Sequence, residues 1–100
     1  MFVYKVMNVL AESGGSVSFA LPDSRIHAVM SIVPEGKDVF LHLKMLRQGK
    51  AIEGGRAIEG EVHRAESLED MKAFLKDERN EAQVRFAIRR LWDRIEGRKN

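Results

Sequence analysis

The chain changes its period once. Up to about residue 63, apolar and polar positions alternate in twos or run together; from Ser67 onward apolar residues recur every three or four. The first regime is that of strands and the second that of helices. Phe2 to Leu10 is apolar at nearly every position, with Lys5 and Asn8 as exceptions, which predicts a strand covered on both faces. Glu12-Ser13-Gly14-Gly15 then offers turn chemistry, glycine supplying positive φ. From Ser16 to Leu21 the alternation is regular, with Val17, Phe19 and Leu21 on one side, so the two runs predict a β-hairpin.

Pro22-Asp23-Ser24 breaks the pattern, and Ile26 to Val33 predicts a third strand. A turn at Pro34-Glu35-Gly36-Lys37 leads into the most regular stretch, Asp38 to Leu46. There Val39, Leu41, Leu43 and Met45 point one way, and Phe40, His42, Lys44 and Leu46 the other. Residues 51–60 contain Ala-Ile-Glu-Gly twice. No Gly-Lys-Ser/Thr follows, and the spacing is not Gly-x-Gly-x-x-Gly, so neither phosphate-binding signature is met. The copies are also too short for a solenoid repeat. A turn at Gly54-Gly55 remains, with a fifth strand running on through Val62.

Ser67-Leu68-Glu69-Asp70 has the form of a capping box. It opens a helix over 67–79 with Leu68, Met71, Phe74 and Leu75 on its apolar face. Asn80 and Gln83 suggest a second start, giving a helix over 81–96 stopped by Gly97; a single helix bent near Asn80 is the alternative. The expected fold is therefore α+β, in one domain spanning 1–100: an antiparallel sheet of about five strands over residues 2–63, followed by two C-terminal helices. In the last helix Val84, Ile88, Leu91 and Ile95 are spaced four, three and four apart, and Trp92 widens the stripe. This is the seam spacing of a coiled-coil pair, and it can serve either the chain's own sheet or a homodimer.

Composition refines this picture. Hydrophobic residues make up 44% and charged residues 32%, which belongs to a folded chain. No run is long and apolar enough for a membrane span, and the N-terminus lacks the layout of a signal peptide. Cysteine is absent, which rules out disulfides and thiolate zinc sites and makes a cytoplasmic setting the expectation. Threonine is absent too, and Asn and Gln are scarce, a leaning towards thermophile composition. The net charge is only +2, but it is blocky. Residues 1–36 hold two basic and three acidic groups, 37–50 four and one, 51–78 four and eight, and 79–100 seven and three.

Catalysis has little to build on. His27, His42 and His63 are far apart in sequence, no serine sits in a nucleophile elbow, and neighbouring acids such as Glu69 and Asp70 diverge on a helix. No enzyme activity, metal or cofactor is expected. Nucleic acid is the favoured partner: Phe40, His42 and Lys44 place a ring, an imidazole and a cation along one strand face, with Arg47, Lys50 and Arg56 extending the charge. The order of elements over 38–96 resembles the coactivator-type and whirly single-strand DNA-binding folds in architecture alone, with no shared motif. The expectation is a homodimer that binds single-stranded nucleic acid, most simply DNA, with low sequence specificity. The alternative is a protein-interaction module that uses the helix seam.

Overall fold

The computed structural model describes residues 3–22, 26–47 and 58–97. In chain order the elements are α1 (Val3–Ser13), β1 (Ser16–Ala20), β2 (Ile26–Glu35), β3 (Asp38–Arg47), β4 (Ile58–Ala65), α2 (Leu68–Lys76) and α3 (Glu81–Gly97), with a 3-10 turn at Glu78–Asn80 before α3. The class is α+β. Among the described residues four strands and three helices stand in place of the expected five and two, because the first predicted strand is a helix.

The physical reason lies in which residues of α1 are buried. Val3, Val6, Met7, Leu10 and Ala11 face the core, at the helical intervals of three and one. Lys5, Asn8 and Glu12 fall on the other side, with Val9 exposed among them. Two apolar residues off the stripe, Tyr4 and Val9, hide that period in the sequence. Gly14 and Gly15 both take φ of 68°, the left-handed region that stops a helix, and the Gly14 N–H closes onto the Leu10 carbonyl at 2.8 Å. The expected hairpin is therefore a helix turning into a strand.

The strands form one antiparallel meander in the order β1-β2-β3-β4. Glu35 pairs with Asp38, so the β2–β3 loop is two residues, with Gly36 at positive φ of 63°. Ile26, Ala28, Met30 and Ile32 from β2 and Val39, Leu41, Leu43 and Met45 from β3 point to the same face and are buried. The expected alternation of β3 holds along its length. Opposite Leu41 and His42 the ladder slips by one residue: Leu41 faces His63, His42 faces Glu61, and Val62 is the extra residue of a β-bulge. Its carbonyl accepts from the Gln83 side chain at 3.0 Å, which fixes the start of α3 to the bulge. The proposed turn at Gly54-Gly55 lies outside the described residues.

All three helices cover the same side of the sheet. Ser67 caps α2 as its sequence suggests, its hydroxyl accepting from the Asp70 N–H at 3.1 Å. Met71, Phe74 and Leu75 are buried, but Leu68 is 47% exposed and does not join them. The helix ends at Lys76 rather than near Arg79. Asp77 caps the 3-10 turn and pairs with the Arg79 guanidinium, and the Asn80 side chain donates back to the Phe74 carbonyl at 2.9 Å. Two helices with a break near Asn80, rather than one bent helix, is thus the arrangement. Tyr4 ties α1 to this junction: its N–H donates to Glu81 Oε2 at 2.9 Å and its hydroxyl to the Lys76 carbonyl at 2.7 Å.

The seam of α3 is used within the chain. Val84, Ile88, Leu91 and Ile95 are buried at 0%, 2%, 6% and 3% exposure against the chain's own core. Trp92, named with them as a dimer contact, is half-buried and packs against the same core. Of the two uses that the spacing allows, the chain's own sheet is the one seen here.

Candidate functional site: the bare face of the sheet

Because the helices share one side, the other side of the sheet carries no layer among the described residues. Register sorts its side chains into rows that run across the strands. One row is Ser16, Ser31, His42 and Glu61. To one side lies Ser18, Val29, Lys44 and Glu59, and to the other Val33, Phe40 and Arg64. Beyond these come Ala20, His27 and Leu46 at one end and Glu35 with Asp38 at the other.

The sequence reading of β3 is therefore realised in its orientation: Phe40, His42 and Lys44 all project from the bare face. Phe40 and His42 lie side by side, ring centroids 5.9 Å apart and tilted by 53°. Val29, Val33, Phe40 and Leu46 are half-buried and form two apolar patches on the central strands, Val33 with Phe40 and Val29 with Leu46, separated by the Ser31 and His42 row. Lys5, set on the first predicted strand, instead points to solvent from α1, and Tyr4 is held at the helix junction. Arg47 ends β3, and Lys50 and Arg56 lie outside the described residues.

Charge on this face is mixed. Lys44 stands across from Glu59, His42 from Glu61, and Arg64 lies 3.8 Å from Asp38. Two cations, Lys44 and Arg64, thus share the described part of the face with four anions, Glu35, Asp38, Glu59 and Glu61. Sequence reasoning placed Lys44 of β3 on this face but missed the acids of β4. Their facing depends on the register, and the bulge at Val62 shifts that register in a way that no residue pattern announces.

The three histidines are divided. His27 and His42 are on the bare face, whereas His63 turns inward beyond the bulge and stacks on Phe74, with centroids 3.7 Å apart and planes within 11°. Burial lowers the His63 pKa below 6.5, against a weaker upward pull from the Glu61 carboxylate. Among the described residues no three His, Asp or Glu side chains come together as metal ligands would. A small cleft of about 110 Å³ lies between β4 and α3, with Gly60 and Glu61 on one wall and Arg90 and Arg94 on the other.

The helix arginines are partly committed to their own element. Arg85 reaches Glu81 at 3.4 Å and Arg89 reaches Asp93 at 3.2 Å, both one turn apart, and Arg90 lies over the exposed Phe86 ring at 5.9 Å. Lys76 pairs with Glu12 across helices at 3.4 Å. No described helix is long and apolar enough to cross a membrane. The chain matches no family model, no curated protein and no solved structure.

Proposed function

We propose that the protein is a non-catalytic binding module and that another protein docks on the bare face of its sheet. One observation carries this reading. The face carries two apolar patches, Val33 with Phe40 and Val29 with Leu46, set on either side of the Ser31 and His42 row among charges of both signs. Apolar contacts interspersed with polar and charged groups of both signs are what non-obligate protein interfaces present. A surface that tracks phosphates is instead dominated by cations. A chain without cysteine suits the reducing, intracellular setting in which such a module would work.

The test is site-specific photo-crosslinking in cell extract. A photoreactive residue at position 42 should give protein adducts, and the same residue at position 86, exposed on α3, should not. Equal adducts from both positions, or none from position 42, would remove the reading.

A second reading rests on the β3 row. Phe40, His42 and Lys44 share a flat, bare face, the geometry on which single-stranded nucleic acid stacks. It requires labelled oligonucleotides to bind with an affinity that falls steeply with salt. It also requires Phe40→Ala to weaken that binding by about 1–3 kcal/mol. Flat anisotropy traces at low salt would dismiss it.

A further inference from the structure

Resting on the protein-docking reading, we propose that the docked partner is a second copy of this chain, its bare sheet face turned onto the first about a two-fold axis. The axis runs across the strands, along the row Ser31 and His42. The rows on either side of that line are complementary to each other rather than alike. Turning the sheet over about this axis lays the row Val29, Lys44, Glu59 on the row Val33, Phe40, Arg64 of the other copy. Valine then meets valine, the Lys44 ammonium meets the face of a Phe40 ring, and Glu59 meets Arg64. A two-fold axis makes every such contact twice. It brings like charges together on the edge strand at Glu61, where His42 stands beside each carboxylate.

The dimensions suffice. Strands of 5, 10, 10 and 8 residues, about 3.3 Å per residue and about 4.8 Å apart, give a face of roughly 520 Å², or about 1,050 Å² for two copies. That just reaches the roughly 1,000 Å² expected of a specific interface. Sheets packed in this way diverge by about 30°, which displaces the neighbouring rows by only a few ångströms. The contacts of Lys44, Glu59 and Arg64 remain within side-chain reach.

The experiment exploits the charge pair. Sedimentation velocity over about 1–200 μM should find the parent passing from monomer to dimer, because an interface this small belongs to the weaker, reversible associations. Arg64→Glu sets two acids against each other and Glu59→Arg two bases, so either should weaken association at least tenfold. Mixing the two variants should restore a heterodimer, since each then carries the charge the other lacks. Both positions are exposed, and circular dichroism will show that the variants fold.

An independent reading comes from His42→Cys in this otherwise cysteine-free chain. A short bismaleimide should join two copies there across sheets about 10 Å apart, but not at Phe86→Cys. A monomeric parent, single variants that associate like the parent, a mixture that fails to recover, or no cross-link at position 42 would each overturn the pairing. If the purified chain is monomeric while position 42 still captures a different protein in extract, self-pairing fails and bare-face docking stands. If position 42 captures nothing, both fall.

Discussion

Ile88→Ala tests where the seam of α3 is spent. Ile88 is 2% exposed and sits among Val84, Leu91 and Ile95 over the sheet. Alanine removes three carbons; at about 0.8 kcal/mol each the lost transfer energy is about 2.4 kcal/mol. A cavity contribution raises the loss to about 3 kcal/mol, within the roughly 2–5 kcal/mol found for such truncations. With a urea slope of about 1–1.5 kcal/mol/M for a domain of this size, the midpoint should fall by about 2–3 M. On the same helix Phe86 is 64% exposed, and Phe86→Ala should cost less than about 1 kcal/mol, most of it the contact with Arg90. Urea unfolding should be run at two protein concentrations in the Arg64→Glu background, where the proposed sheet pairing is broken. The losses should then be independent of concentration. Were the stripe instead shared between chains, stability would climb by about 1.4 kcal/mol for each tenfold rise in protein. That climb, or an Ile88→Ala loss no larger than that of Phe86→Ala, would refute the intramolecular packing.

Three further outcomes follow from local geometry. His63 has a folded pKa below its unfolded value of 6.5, so the unfolded chain binds the extra proton; its contribution to stability is complete above about pH 6.5 and is lost as pH falls through the folded pKa. His63→Phe, which can keep a ring against Phe74, should flatten the fall in urea midpoint between pH 7.5 and 5.5; an unchanged slope would assign it to other groups. Gly60→Ala should be neutral or stabilise by up to about 1 kcal/mol, because a Cβ there would meet Leu91 Cδ2 at an ordinary 3.6 Å and the unfolded chain would lose freedom. A thermal midpoint lowered by several degrees would mean that the sheet and α3 cannot accept a methyl group. Ser67→Ala should cost about 1 kcal/mol in chemical denaturation through loss of the α2 cap, and no loss would show the Asp70 N–H to be equally well served by water.

How much of this could be read from residues alone differs by element. β3 was legible because strict alternation leaves one physical solution, and the face carrying Phe40, His42 and Lys44 came with it; β2 was legible as a short apolar run between two proline-marked turns. Ser67 and the break near Asn80 were legible because caps have short local signatures. α1 was not: Tyr4 and Val9 fill the gaps between its buried residues, and an all-apolar run has no period to read. The other missing information is relational. Which helices share a side, and which acids stand opposite Lys44 and His42, depend on register and on one extra residue at Val62.

The clasp between Tyr4 and the helix junction also bears on synthesis. α1 leaves the ribosome before the strands, yet the acceptors of its Tyr4 bonds, Lys76 and Glu81, follow 72 and 77 residues later. The meander can close hairpin by hairpin as it emerges, since each strand pairs with the one before it. α1 can lay part of its apolar stripe on β1 and β2 as they form, but its packing on α2 and the Tyr4 clasp have to wait until Lys76 and Glu81 have left the exit tunnel. Stalling the chain before Leu68 would leave the α2-facing part of that stripe open to chaperones and proteases.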